Sequence, residues 1–78
     1  MPLSPDWNAW KGNYGDYGPA GKVLELRFFM KGPGYRLYFG EHNDIVILLR
    51  AGTKKTQDVD IKTANELWKQ YNDANENH

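Results

Sequence analysis

The sequence predicts an α+β domain, a three-stranded antiparallel sheet with a C-terminal helix, and three observations predict it. Residues 23–30 alternate between oily and polar side chains with the period of two that a half-buried strand requires. Two further apolar runs follow at short intervals, separated by glycine-rich or polar turn residues. One long amphipathic stretch then closes the chain.

The 78 residues make one domain, near the lower size at which a single core is self-sufficient. Residues 1–21, MPLSPDWNAWKGNYGDYGPAG, are rich in glycine, proline and aromatics, show no periodicity, and read as an irregular lead-in. Trp7, Trp10, Tyr14 and Tyr17 can cover an apolar face or stack on nucleic-acid bases, and covering is the commoner role in such a segment.

The sheet is expected over residues 22–50. Its first strand, 22–30, sends Leu24, Leu26, Phe28 and Met30 to one side and Val23, Glu25, Arg27 and Phe29 to the other. Gly32-Pro33-Gly34 offers a tight hairpin connection. The second strand, 34–39, turns Tyr35, Leu37 and Phe39 one way and Arg36 and Tyr38 the other. Residues 40–44, GEHND, form a turn by composition. The third strand, 45–50, is apolar on both faces, and Gly52 ends it. A helix over 57–71 has Thr56 or Asp58 as N-cap and Ile61, Ala64, Leu67, Trp68 and Tyr71 on the stripe that docks on the sheet. The polar tail is expected to fray.

In a meander of these strands, Leu24, Leu26, Phe28, Leu37, Phe39, Ile45, Ile47 and Leu49 share one face. The opposite face carries Arg27, Arg36 and, near its edge, Arg50, with Lys54 and Lys55 following at the same end. Charge supports this asymmetry. The chain is formally neutral, yet residues 22–55 hold seven basic groups against three acids, while both flanks are net acidic. Such a distribution permits binding of nucleic acid or another polyanion, and it is equally compatible with ordinary solvated side chains.

Cysteine is absent, which excludes disulfides, thiolate zinc sites and cysteine nucleophiles. No apolar run approaches a membrane span and no secretion signal opens the chain, so a cytoplasmic location without membrane contact is the default expectation. His42 falls in the expected turn, His78 is terminal, Ser4 has no adjacent base, and the glycine-proline-glycine lacks the helix of a phosphate-cradling loop. Neither a metal set nor any other cofactor is expected.

From Gly12 to about Leu67 the blocks GNYGDYGPAGKVLELR, GPGYRLYF and AGTKKTQDVDIKTANEL occur in order around the apolar third strand. In this the chain resembles the addiction-module killer branch of the RelE/ParE toxin superfamily, the HigB-like group, whose members read G-N-F-G-D, E-L-R, G-P-G-Y-R-V-Y and L-L-x-G-G-x-K-x-T-Q-x-x-D-I-x-x-A. The resemblance implies a type II toxin that cleaves messenger RNA on the ribosome, an mRNA interferase restrained by a cognate antitoxin protein. It places Arg27, Arg36 and Lys54 where relatives carry basic functional groups, as candidate catalytic residues, with Arg50 and Lys55 as candidate RNA contacts. Arg27 and Arg36 would clamp the phosphate, and Lys54 would neutralise developing charge. No general base is visible.

Relatives begin with a further strand and one or two helices, whereas only Met1 to Lys11 precede the first block here, so an N-terminally shortened member is expected. Glu25 replaces a lysine of some relatives, and Asp60 falls near a tyrosine used by others. A second class of function follows from the shortening, a truncated, non-catalytic RelE-like core that binds a partner protein or itself. A gyrase-directed poison, the superfamily's other activity, fits the motifs less well. A homodimer or larger homo-oligomer is expected, because the shortened lead-in would leave apolar sheet surface and a strand edge to cover.

Overall fold

The computed structural model describes residues 15–76. Strands β1 (Gly15–Ala20), β2 (Val23–Phe28), β3 (Arg36–His42) and β4 (Ile45–Gly52) form one antiparallel sheet in the order β1-β2-β3-β4. A 3-10 turn (Lys54–Thr56) leads into helix α1 (Gln57–Glu76), which extends past the expected end at residue 71. The α+β class with its C-terminal helix is as the sequence predicts, but the sheet has four strands, not three.

The additional strand lies within the expected irregular lead-in. Its sequence, GDYGPA, holds two glycines and a proline, so β-propensity and period-two patterning both pass over it. Its place at the sheet edge explains the tolerance, since a proline there need not break a central ladder. Gly15 packs against the carbonyl of Arg27, where any Cβ would collide. A two-residue connection, with Gly21 at φ 72°, turns β1 into β2, and Asn65 of the helix clamps it. The Asn65 amide donates to the Ala20 carbonyl at 2.9 Å and its oxygen accepts from the Lys22 N–H at 2.7 Å. Trp7, Trp10 and Tyr14 lie outside the described residues.

Strand ends also differ from expectation. β2 stops at Phe28 and β3 starts at Arg36, so Gly32-Pro33-Gly34 sits inside a longer loop, 29–35, rather than a tight hairpin. The turn expected over 40–44 shrinks to Asn43 and Asp44, both in the left-handed region at φ 47° and 63°, the pattern of a two-residue I′ connection. Gly40, Glu41 and His42 pair with β4 instead. Gly40 is needed there because the Trp68 ring lies directly on it.

Both sheet faces bury apolar groups. On one, Leu26, Phe39 and Val46 form a buried cluster flanked by Leu24, Phe28 and Leu37. On the other, Ala20, Val23 and Tyr38 pack with Ala64, Leu49, Ile61 and Trp68, so the helix docks on the face that also carries Arg27, Arg36 and Arg50. That face is therefore not open and basic throughout. Its arginines are confined to the end beside the helix N-terminus. A bulge causes a further correction. Tyr38 pairs with Arg50 but Phe39 with Leu48, which leaves Leu49 as the extra residue. Ile45 and Ile47 consequently share the helix side, opposite His42 and Gly40, while Val46 and Leu48 join the Leu26 side. Leu67, expected on the docking stripe, is exposed at the helix surface.

The expected homo-oligomer rested on an unpaired edge and a wet apolar face. β1 occupies that edge of β2, and Leu26 and Phe39 are 0% and 1% exposed, whereas Leu24, Phe28 and Leu37 on the same face are partly buried and Leu48 beside Phe39 is 59% exposed.

Candidate nucleic-acid interface

Arg27 and Arg36 face each other across β2 and β3 at the end of the sheet where the 29–35 loop emerges. Two like charges in directly opposite positions repel, so the arrangement needs a counter-charge. Glu25 supplies it. Its Oε1 lies 3.7 Å from the Arg27 Nε and its Oε2 3.6 Å from the Arg36 Nε, and the Gln57 amide at the start of α1 donates to Oε2 at 3.0 Å. Arg36 is nine-tenths buried as a side chain, whereas Arg27 is half exposed. Sequence reasoning did not select Glu25, although its place two residues before Arg27 on one strand face was a usable signal.

Lys54 joins this group through the backbone. Its N–H donates to the Pro33 carbonyl at 3.3 Å, which ties the β4–α1 connection to the glycine-proline-glycine loop. Between them sits Gly34 at φ 80°, whose added Cβ would stand 3.0 Å from the Lys54 Cβ and 3.3 Å from the Arg36 Nη1. Arg36 Nη1 also donates to the Gly34 carbonyl at 3.3 Å. Glycine is required here by both conformation and space. Arg36 and the start of the Lys54 side chain thus lie against the same glycine, with Arg27 across the ladder from Arg36.

Arg50 lies on the same face, opposite Tyr38, but is committed elsewhere. Its Nε donates to the Asp60 Oδ1 at 2.8 Å, and the Thr56 hydroxyl donates to the other oxygen of the same carboxylate. Asp60 is buried at 1% exposure. The Thr56 hydrogen bond, then the Arg50 hydrogen bond, hold its carboxyl below the ordinary aspartate value against the opposing effect of burial. Gly52 leaves room for this carboxylate, since a Cβ there would strike Oδ2. The Arg50 charge is offset structurally, so the sequence-predicted RNA contact is in large part an internal ion pair. Lys55 is exposed in the same turn as Lys54.

Tyr38, directly opposite Glu25, is fully buried, and its hydroxyl has no hydrogen-bond partner among the described residues. Burial first, and the adjacent Glu25 carboxylate second, raise its pKa above the ordinary tyrosine value. His42 ends β3, six residues from Arg36 and thus about 20 Å along the strand, too far to serve this site. Its ring meets Tyr71 edge-on at a centroid distance of 6.3 Å.

No helix among the described residues is long and apolar enough to cross a membrane. The chain is 47% identical over 58 residues to an uncharacterized protein of Haemophilus influenzae, a match that covers 72% of this chain and 58% of that protein. No protein-family model and no solved structure matches the chain.

Proposed function

We propose that the chain is the toxin component of a type II toxin–antitoxin module, an endonuclease acting on messenger RNA in the ribosome. The observation that supports this reading is that Arg36 and Lys54 both lie against Gly34, with Arg27 opposite Arg36 in the β2–β3 ladder, at the motif positions where the resemblance to the HigB-like group expects basic groups. In the reaction the RNA 2′-oxygen forms a bond to the adjacent phosphorus as the bond to the 5′-oxygen breaks, leaving a 2′,3′-cyclic phosphate and a 5′-hydroxyl. The barrier lies in the extra negative charge on the phosphorane-like oxygens. Arg36, ion-paired to Glu25 and hydrogen-bonded through Nη1 to the Gly34 carbonyl, supplies one largely buried guanidinium, and Arg27 supplies a second, more open one. Lys54 adds a point charge, and Lys55 a contact to the RNA backbone. Glu25 is a positioning residue that keeps the two arginines together. Proton transfer falls to water or to groups of the ribosome.

The test is expression without antitoxin. Growth arrest that Arg36→Ala relieves and Lys69→Ala does not is the expected result. Unimpaired growth with abundant folded protein would favour the second reading, a RelE-like core that binds a partner protein. That alternative draws on Phe29, Met30 and Leu48, large apolar side chains exposed on the described surface.

A further inference from the structure

The loop 29–35 and the turn Lys54–Thr56 touch through the Lys54 N–H and the Pro33 carbonyl, and together they form one composite tip. Its composition is unusual for a solvated surface. Lys31, Lys54 and Lys55 are exposed, no acidic residue occurs in either segment, and Phe29, Met30 and Tyr35 are 63%, 59% and 43% exposed. Tyr35 is not a loose side chain. Its carbonyl accepts from the Phe28 N–H at 3.1 Å, and its ring lies over Gly32, where an added Cβ would stand 3.0 Å from Cε2. Gly32 at φ 140° leaves the space that the ring occupies.

We propose that this tip is a stacking platform for bases of single-stranded RNA, with Tyr35 as the preorganised ring and Phe29 as a second apolar contact. Single strands are bound by aromatic faces that take the bases and cations that take the phosphates, and both occur here on neighbouring loops. The absence of acids favours a polyanion over a basic or neutral peptide. The inference rests on the RNA reading of the Arg27, Arg36 and Lys54 site, and it adds which residues meet the bases.

The experiment measures binding of a labelled eight-nucleotide single-stranded RNA, and of inorganic polyphosphate as competitor, at fixed 0.15 M salt. The wild-type chain, Tyr35→Ala and Tyr35→Phe are compared, with thermal unfolding as the check on folding. Tyr35→Ala is expected to weaken RNA binding about 5- to 150-fold, the range for one lost base stack, and to leave polyphosphate competition unchanged. Tyr35→Phe should bind like wild type. No measurable RNA binding by wild type, equal loss for RNA and polyphosphate, or a Tyr35→Ala affinity within twofold of wild type would each overturn the proposal. The two readings separate. Arrest relieved by Arg36→Ala and untouched by Tyr35→Ala removes the platform alone, whereas Tyr35-dependent RNA binding without growth arrest removes the toxin reading alone.

Discussion

Arg27 and Arg36 stand opposite each other in the β2–β3 ladder, and a single carboxylate, Glu25, lies within 3.7 Å of both. A pair of cations held this close is an electrostatic cost to the fold and an attraction for any phosphate that enters. Glu25 therefore lowers the cost and competes with the phosphate. Glu25→Gln should lose about 1–3 kcal/mol of stability, recover part of it as salt is raised, and bind inorganic polyphosphate more tightly. Denaturant unfolding at 0.05 and 0.5 M salt, with a parallel competition assay, checks this.

Asp60 is expected to make the fold acid-sensitive. Its carboxyl is held below the ordinary aspartate pKa, so the unfolded chain binds a proton more readily than the folded one. The stabilisation is complete above the ordinary value of 3.8 and is lost as pH falls through the lowered folded value. Asp60→Asn should cost about 1.5–3 kcal/mol at pH 7 and flatten the loss of stability below pH 4. An unchanged acid limb in thermal melts would assign that sensitivity elsewhere.

Tyr38 is expected to move stability the other way. Its buried hydroxyl lacks a hydrogen-bond partner among the described residues, so Tyr38→Phe removes a desolvated polar atom while keeping the ring. A gain of about 1 kcal/mol is expected. Equilibrium urea unfolding decides, and a loss of similar size would mean that the hydroxyl is satisfied in solution.

Gly34 links conformation to the site. Gly34→Ala places a Cβ in a left-handed backbone against Lys54 and Arg36, and should cost about 1–2 kcal/mol and weaken polyphosphate binding. Gly18→Ala is the control, since nothing lies within 4 Å of the added methyl. Equal effects of the two substitutions would show that the loop adapts.

The strands around Leu26 and Phe39 were legible because their alternation has one oily side. β1 was hidden because an edge strand of glycine and proline carries no pattern, and its stability comes from its pairing with β2 and the Asn65 clamp. The faces of β4 are not legible because Ile45, Val46, Ile47, Leu48 and Leu49 are all apolar, and the bulge that decides their sides is set by tertiary packing. At the site, strand parity pairs Arg27 with Arg36, and the β4–α1 connection brings the Lys54 backbone to Pro33 and Gly34, beside Arg36. The roles of Glu25 and Asp60 were not legible. Each depends on a contact across the fold, with Arg36 and Gln57 for one and Arg50 for the other.

In the proposed function, Arg36, with Arg27 and Lys54, clamps a phosphate of messenger RNA during strand cleavage on the ribosome. Primer extension on a defined message in a reconstituted translation reaction tests it most directly, with wild-type chain and Arg36→Ala compared at equal concentration. New 5′ ends at ribosome-positioned codons are expected with wild type, and a rate about 30- to 1000-fold lower for Arg36→Ala, the effect of losing about 2–4 kcal/mol of transition-state stabilisation. Cleavage that is absent with folded wild-type chain, or undiminished by Arg36→Ala, would contradict it.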